Sequence, residues 1–337
     1  MNLRYPKKTW IQFGVITGAA VLFYELGFLA FFFMVPLQFL YRMRGEELGI
    51  LSSIAAAVII LILGLIRTAS VEESDLRTLL MGIEIFTLFI FLGGLYISNS
   101  RLIPVGRQLY RLLIACLIAG GLSAVFFIML ERSGTLQRLL KSLFSQVLEI
   151  LNISGDEAAG TAGGGFLGGL LTPDSLYEGF REAIFRFFLF LYFLLLTMTI
   201  KIGSLFRRNS TEGKNYAAIL FHVPDWMIWP LIVSWGGVLL GVFVKTGPLP
   251  YVFWNTGLIS LFIYGFQGVG ILKYLMQKAK MQRGVQLFLN FVLVLLLIIP
   301  GINMITIFGI PALGVSEVWI KYRQRKGNTD NESNTDA

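Results

Sequence analysis

Residues 36–68 read PLQFLYRMRGEELGILSSIAAAVIILILGLIRT, and the rest of the chain repeats their plan. Arg42 and Arg44 stand first, an uncharged apolar run fills 48–66, and Arg67 closes it. A helix of about twenty such residues crosses a hydrocarbon core about 30 Å thick. Five more long apolar runs follow, at approximately 79–98, 109–130, 184–206, 219–244 and 252–276. The basic residues are distributed around them with a period of two gaps. Twenty of the 28 Lys and Arg residues form six clusters: Arg4/Lys7/Lys8, Arg42/Arg44, Arg101/Arg107/Arg111, Lys201/Arg207/Arg208/Lys214, Lys273/Lys278/Lys280/Arg283 and Lys321/Arg323/Arg325/Lys326. The intervening gaps mix the remaining eight with ten acids. Positive charge retained on one side of a bilayer produces this alternation, so a multi-pass protein with both termini cytoplasmic is expected.

Composition agrees. The chain has 337 residues, 55% of them hydrophobic and only 14% charged, with mean hydropathy +0.72. Soluble domains average roughly 25% charge. The net charge of +8 does not point to nucleic acid, because the basic residues flank apolar runs and no polar body carries them. They suit the anionic headgroups of a lipid bilayer, at about 1 kcal/mol per residue near the surface. A single Cys (Cys116) and a single His (His222) exclude a disulfide framework and a Cys/His zinc site. The basic start and first apolar run lack an A-x-A-like cleavage site, so an uncleaved first segment is expected.

The ends of the chain differ from its middle. Residues 10–41 form one apolar stretch interrupted by Glu25, and 286–320 form another, broken at Pro300-Gly301 and followed by Pro311. Each is too long for one span and too short for two comfortable ones. Each reads as a hairpin, short or re-entrant, that packs inside the bundle, since broken helix at membrane depth needs protein or a cavity around it. The fold class is therefore all-α: a polytopic transmembrane bundle with six full-length spans and two terminal hairpins, eight to ten membrane segments in total. Residues 1–325 are read as a single transmembrane domain and 326–337 as a disordered cytoplasmic tail. A hairpin at each end and three spans in each half suggest inverted repeats, though no residue pattern carries them.

The 131–172 segment falls on the outer side. Leu136, Leu139, Leu140, Leu143, Phe144, Val147, Leu148 and Leu151 recur at three-and-four spacing, which predicts an amphipathic helix. It lies along the membrane surface or caps the mouth of the bundle. A Gly-rich loop over 155–169 follows. Thr172-Pro173 then opens a helix, with Thr172 as N-cap, that runs on into the fourth span.

Candidates for chemistry are few. Gly163-x-Gly165-x-x-Gly168 matches a dinucleotide fingerprint only formally, because no strand precedes it. No G-K-[ST] or H-E-x-x-H occurs. His222 sits in FHVPDW, where Asp225 and Trp226 suggest a capped interfacial helix start rather than a base. No catalytic residue, metal site or cofactor is assigned, and the chain is not read as an enzyme. Polar residues within apolar runs are costly unless paired, so they mark sites. Glu84, Gln267, Asn290, Asn303 and Glu25 are the substrate-binding candidates. Glu84 either faces a cavity, pairs with Arg77 or reaches the outer interface. Gln267 and Asn290 equally suit interhelical hydrogen bonding. Small residues four apart, Gly14/Gly18, Ala115/Ala119 and Gly237/Gly241, permit close helix approach within the bundle or to a partner.

Four segments carry a family resemblance: Pro36-Leu37-x-Phe39-Leu40-Tyr41-Arg42-x-Arg44-Gly45; Phe221-x-Val223-Pro224-x-Trp226; Phe266-Gln267-Gly268-x-Gly270; and Leu313-Gly314-Val315-x-Glu317-x-Trp319-x-x-x-Arg323-x-Arg325. Together they resemble the YybS-like family of bacterial inner-membrane proteins, over most of the chain outside 131–172. Glu317 stands where that family usually has Asp, and Tyr322 where it has Phe or Tyr. The family has no established activity and is distantly similar to the substrate-capturing S components of energy-coupling-factor transporters. The resemblance implies a bacterial inner membrane, a small-molecule solute, and a coupling or envelope membrane protein docking near Gly14/Gly18. Two functions are thus expected: a solute-binding transport component, or a non-catalytic scaffold that recruits protein partners. A polar cavity lined by Glu84 and Gln267 would favour the first.

Overall fold

The computed structural model describes residues 6–100, 108–150, 172–205, 221–244 and 247–323. The 155–169 loop, with Gly163, Gly165 and Gly168, and the 326–337 tail lie outside the described residues. Within the described residues the chain forms eleven α-helices. These are α1 (Lys7–Glu25), α2 (Met34–Arg44), α3 (Glu46–Thr68), α4 (Ser74–Asn99), α5 (Gln108–Ser133), α6 (Thr135–Ile150), α7 (Pro173–Leu205), α8 (Ile228–Phe243), α9 (Leu249–Lys278), α10 (Arg283–Ile298) and α11 (Ile302–Ser316). The chain is an all-α polytopic membrane protein. Six helical stretches are long and apolar enough to cross a membrane: α3, α4, α5, Pro173–Gly203 of α7, Asp225–Phe243 including α8, and α9. All six fall on the runs expected from hydropathy. The fifth starts at Asp225, later than the 219 expected, because the backbone is non-helical over 221–224 up to Pro224. Its start has no side-chain cap, and His222 is exposed beside it.

By internal packing the chain divides into two compact units, Met1–Arg208 and Asn209–Ala337. The division follows the fourth span, leaving four of the six long apolar stretches in the first unit and two in the second. Contacts, not span count, define the units.

In the first unit α2 is the buried element. Met34, Leu37, Gln38 and Leu40 are fully buried where α2 packs on α3, α4 and α7. At 11 residues α2 is about 16 Å long, too short to cross. α1 packs on α2 and α3 through Ile16, Thr17 and Ala20, and Thr17 Oγ1 lies 2.8 Å from Ser52 Oγ. The tip joining α1 to α2 is not packed inside the bundle: Phe28 and Phe31 are 78% and 60% exposed. Local bonds satisfy its backbone, with Leu26 N donating to Leu22 O, Ala30 N to Gly27 O and Phe32 N to Leu29 O. A break whose donors are already paired does not require burial.

The helix α6 caps the first unit. It packs on α4, α5 and α7, with Lys141 paired to Asp174 and Phe144 edge-on to Phe180 at 5.9 Å. α7 opens as its first residues dictate. Ser175 N donates to Thr172 Oγ1 at 3.1 Å, and Thr172 N donates to Ser175 Oγ at 2.9 Å, a reciprocal cap. The helix then runs unbroken for 33 residues.

In the second unit α9 packs against α8 and α11. α11 continues through Pro311, which lies 3.6 Å from the position a Cβ on Gly265 would take. The second hairpin corrects the expectation of burial more strongly than the first. Every residue of α10 escapes burial, and the helix packs on α11. At 16 and 15 residues its two arms are about 22–24 Å long. Gly301, at φ 87°, makes the turn between them in an exposed position, so the break lies at a surface and not in the bundle centre.

Candidate functional site

Three helix segments of the first unit bring charge together. Glu25 is the last residue of α1, Arg67 lies one residue before the end of α3, and Glu84 lies ten residues beyond the start of α4. Arg67 Nη1 donates to Glu25 Oε2 at 2.9 Å, and Arg67 Nη2 to Glu84 Oε1 at 2.8 Å. The Glu84 side chain is 8% exposed, whereas Arg67 is 52% and Glu25 29% exposed. Glu84 is thus the deep end of a triad that leads outward. Gly64, one turn before Arg67, makes the seat: a Cβ there would lie 2.1 Å from Glu84 Oε2. Arg77 is not the partner of Glu84; its Nη2 donates to Val71 O at 2.7 Å. Seven residues along one helix is a rise of about 10 Å, too far to span, whereas Arg67 meets Glu84 across the α3–α4 interface.

A cavity of about 380 Å³ opens on this triad, lined by Tyr24, Arg67, Thr68, Glu84 and Thr87 among others. A second, of about 470 Å³, lies among α4, α5, α6 and α7. Ile83 and Thr87 line both, so the two adjoin. The second cavity is walled by aromatic rings. Phe86 and Phe126 stack at 3.9 Å with planes 9° apart, and Phe127 meets Phe185 and Phe188 edge-on at 5.2 and 5.5 Å. Leu136 and Leu140 of α6 close one end. Glu131 and Arg181 form an ion pair in its wall, and Arg181 lies over the Phe185 ring at 5.6 Å. Both volumes are in the range of small-molecule sites.

The other candidates lie elsewhere. Gln267, 1% exposed, is engaged at both ends of its amide in the second unit. Its Oε1 accepts from Val223 N at 2.6 Å and its Nε2 donates to Gly314 O at 2.9 Å. It clamps α9 to the start of the fifth span and to α11, and it lines neither of these cavities. Asn290 is half-buried on α10, and Asn303 half-buried in the first turn of α11. Of the five polar candidates, the structure brings together Glu25 and Glu84. Among the small residues, a Cβ on Gly237 would lie 2.5 Å from the Phe253 ring and one on Gly241 3.6 Å from Pro250, so both serve the α8–α9 contact. Gly14 and Gly18 have nothing within 4 Å of a Cβ and leave their face of α1 open. Among the described residues no three His, Cys, Asp or Glu side chains gather as a metal site would require.

Sequence reading missed two features. Arg67 was visible only as the charge that closes a span. The aromatic cavity was visible only as an excess of Phe, 29 in all; Phe at 126–127 and at 185 and 188 was the available signal. A third cluster was half visible. Arg323 Nε donates to Glu317 Oε1 at 2.6 Å and Arg323 Nη1 to Phe221 O at 2.9 Å. With Gln267, this ties together the three C-terminal motif segments that carry the family resemblance. Comparison with protein-family models, with curated proteins and with solved structures finds no match to this chain.

Proposed function

We propose that this polytopic membrane protein binds a small solute in the adjoining cavities of its first unit and acts as the capturing component of a transport process. The aromatic-walled cavity bordered by α6 carries the reading, because a concave, mostly apolar space of about 470 Å³ with a few polar groups in its wall is the form small-molecule sites take. The YybS-like resemblance supports the same class. Purified protein should carry a co-purifying small molecule in native mass spectrometry. Ile184→Trp, which places an indole in the cavity, should lose that molecule while keeping the wild-type helical circular dichroism. Retention of the molecule by the variant would remove the cavity from the reading.

One observation favours a scaffold instead: the open Gly14/Gly18 face of α1 would accept a partner helix. A stoichiometric protein partner and no small molecule in the same spectra would select that alternative. In either case the basic clusters support a topology with both termini cytoplasmic, in the bacterial cell that the resemblance implies. With Cys116 replaced by Ala, Arg42→Cys and Lys280→Cys should resist a membrane-impermeant maleimide in intact cells and react after lysis. Labelling of either from outside reverses the orientation.

A further inference from the structure

We infer that the adjoining cavities of the first unit select an organic cation, an ammonium head on an apolar or aromatic body; the inference rests on the solute-binding reading above and names its substrate class. Two independent features converge on it. The first is charge. Each of the two arginines at these cavities is shared between two carboxylates: Arg67 between Glu25 and Glu84, and Arg181 between Glu131 and Glu178. Four carboxylates thus share two guanidiniums. Arg77, whose Nη2 is held by Val71 O at the rim of the first cavity, pairs with neither Glu25 nor Glu84, so the surplus of negative charge is clearest at the Arg181 end. The nearby cations of α6 do not offset it, because Lys141 is held by Asp174 and Arg138 lies 3.8 Å from Glu73. The second feature is the wall between the two ends. Phe86, Phe91, Phe126, Phe127, Phe185 and Phe188 turn ring faces and edges into one space. A ring face carries negative quadrupole potential, and cages of such rings are a recurrent way to hold an ammonium group. An anionic ligand would have to displace a carboxylate from an arginine and then lie against the same ring faces. A neutral ligand would gain nothing from the surplus charge.

The test uses three probes with one phenyl tail: phenylbutylammonium, phenylbutanol and phenylbutyrate. Each is titrated calorimetrically into the full-length protein in nanodiscs. The same titration with Ile184→Trp supplies the baseline for partition into lipid. The ammonium should bind about tenfold or more tighter than the alcohol, because one buried opposite charge is worth at least that much at the low effective dielectric of the site. Phenylbutyrate should be the weakest. Glu84→Gln should reduce the preference for ammonium over alcohol severalfold. Glu131→Gln, at a more exposed pair, should do the same if Glu84→Gln fails to fold. Equal binding of all three probes overturns the cation inference and leaves the solute-binding reading intact. Tightest binding of phenylbutyrate overturns it in favour of Arg67 or Arg181 as the recognising group. Binding of none above the Ile184→Trp baseline removes both readings.

Discussion

Arg323→Met should lower the stability of the protein by about 3–5 kcal/mol, the cost of leaving a buried charge without its partner. The Glu317 side chain is 4% exposed and that of Arg323 11%, so little water reaches Glu317 once the guanidinium is gone. Removing Arg323 also leaves Phe221 O without the Nη1 donor that fixes the chain before the fifth span. Unfolding in detergent, followed by circular dichroism, should show a lower midpoint. The double variant Glu317→Gln/Arg323→Met should recover a substantial part, because a pair replaced by neutral groups no longer buries an uncompensated charge. A single variant within about 0.5 kcal/mol of wild type would mean that the pair is hydrated in the membrane-bound protein.

Gly268→Ala is the second large effect, and it acts through backbone. A Cβ on Gly268 would lie 2.0 Å from Ile310 O and 2.9 Å from its carbonyl carbon. A Cβ on Gly314 would lie 2.1 Å from Tyr264 O. Helices α9 and α11 therefore touch main chain to main chain, and neither side can swing away as a side chain would. Adding one methyl forces the helices apart, at about 1–3 kcal/mol for overpacking. It also stretches the bond from Gln267 Nε2 to Gly314 O, which contributes about 1 kcal/mol more. Gly265→Ala supplies the control on the same helix, since its Cβ would meet Pro311 at an ordinary 3.6 Å. Equal unfolding midpoints for the Gly265 and Gly268 variants would show that α9 and α11 separate freely.

These two sites also show how far the sequence can be read. Gln267, Gly268, Gly314, Glu317 and Arg323 all stood within quoted motif segments, and of these only Gln267 was given a role. Gln267 was placed among solute-binding candidates because a buried amide in an apolar run could equally bind a ligand or a neighbouring backbone. Only the positions of Val223 N and Gly314 O, 44 and 47 residues away, decide which. Glu84 carries the opposite lesson. The cost of an unpaired acid in hydrocarbon singled it out, and in the structure it is buried against Arg67. Of the alternatives open for it, pairing with Arg77 is not found, and the partner is Arg67 on the neighbouring helix. The hairpin at 286–320 was expected to be buried on the ground that broken helix needs protection. The turn at Pro300-Gly301 is instead exposed, and α10 keeps no buried residue.

What the chain determined by itself is its class: six spans, an amphipathic helix over Thr135–Ile150 and a capped, continuous helix from Pro173. Those features follow from free energies local to each segment, since apolar length, helical period and an N-cap all act within a few turns. Tertiary structure alone decided which charges pair, where the aromatic walls meet and that the boundary between compact units falls after Arg208. Those depend on how helices from distant parts of the chain approach one another. Where nearly every surface is apolar, hydropathy is silent about that choice, and glycine contacts, ring packing and buried hydrogen bonds make it instead.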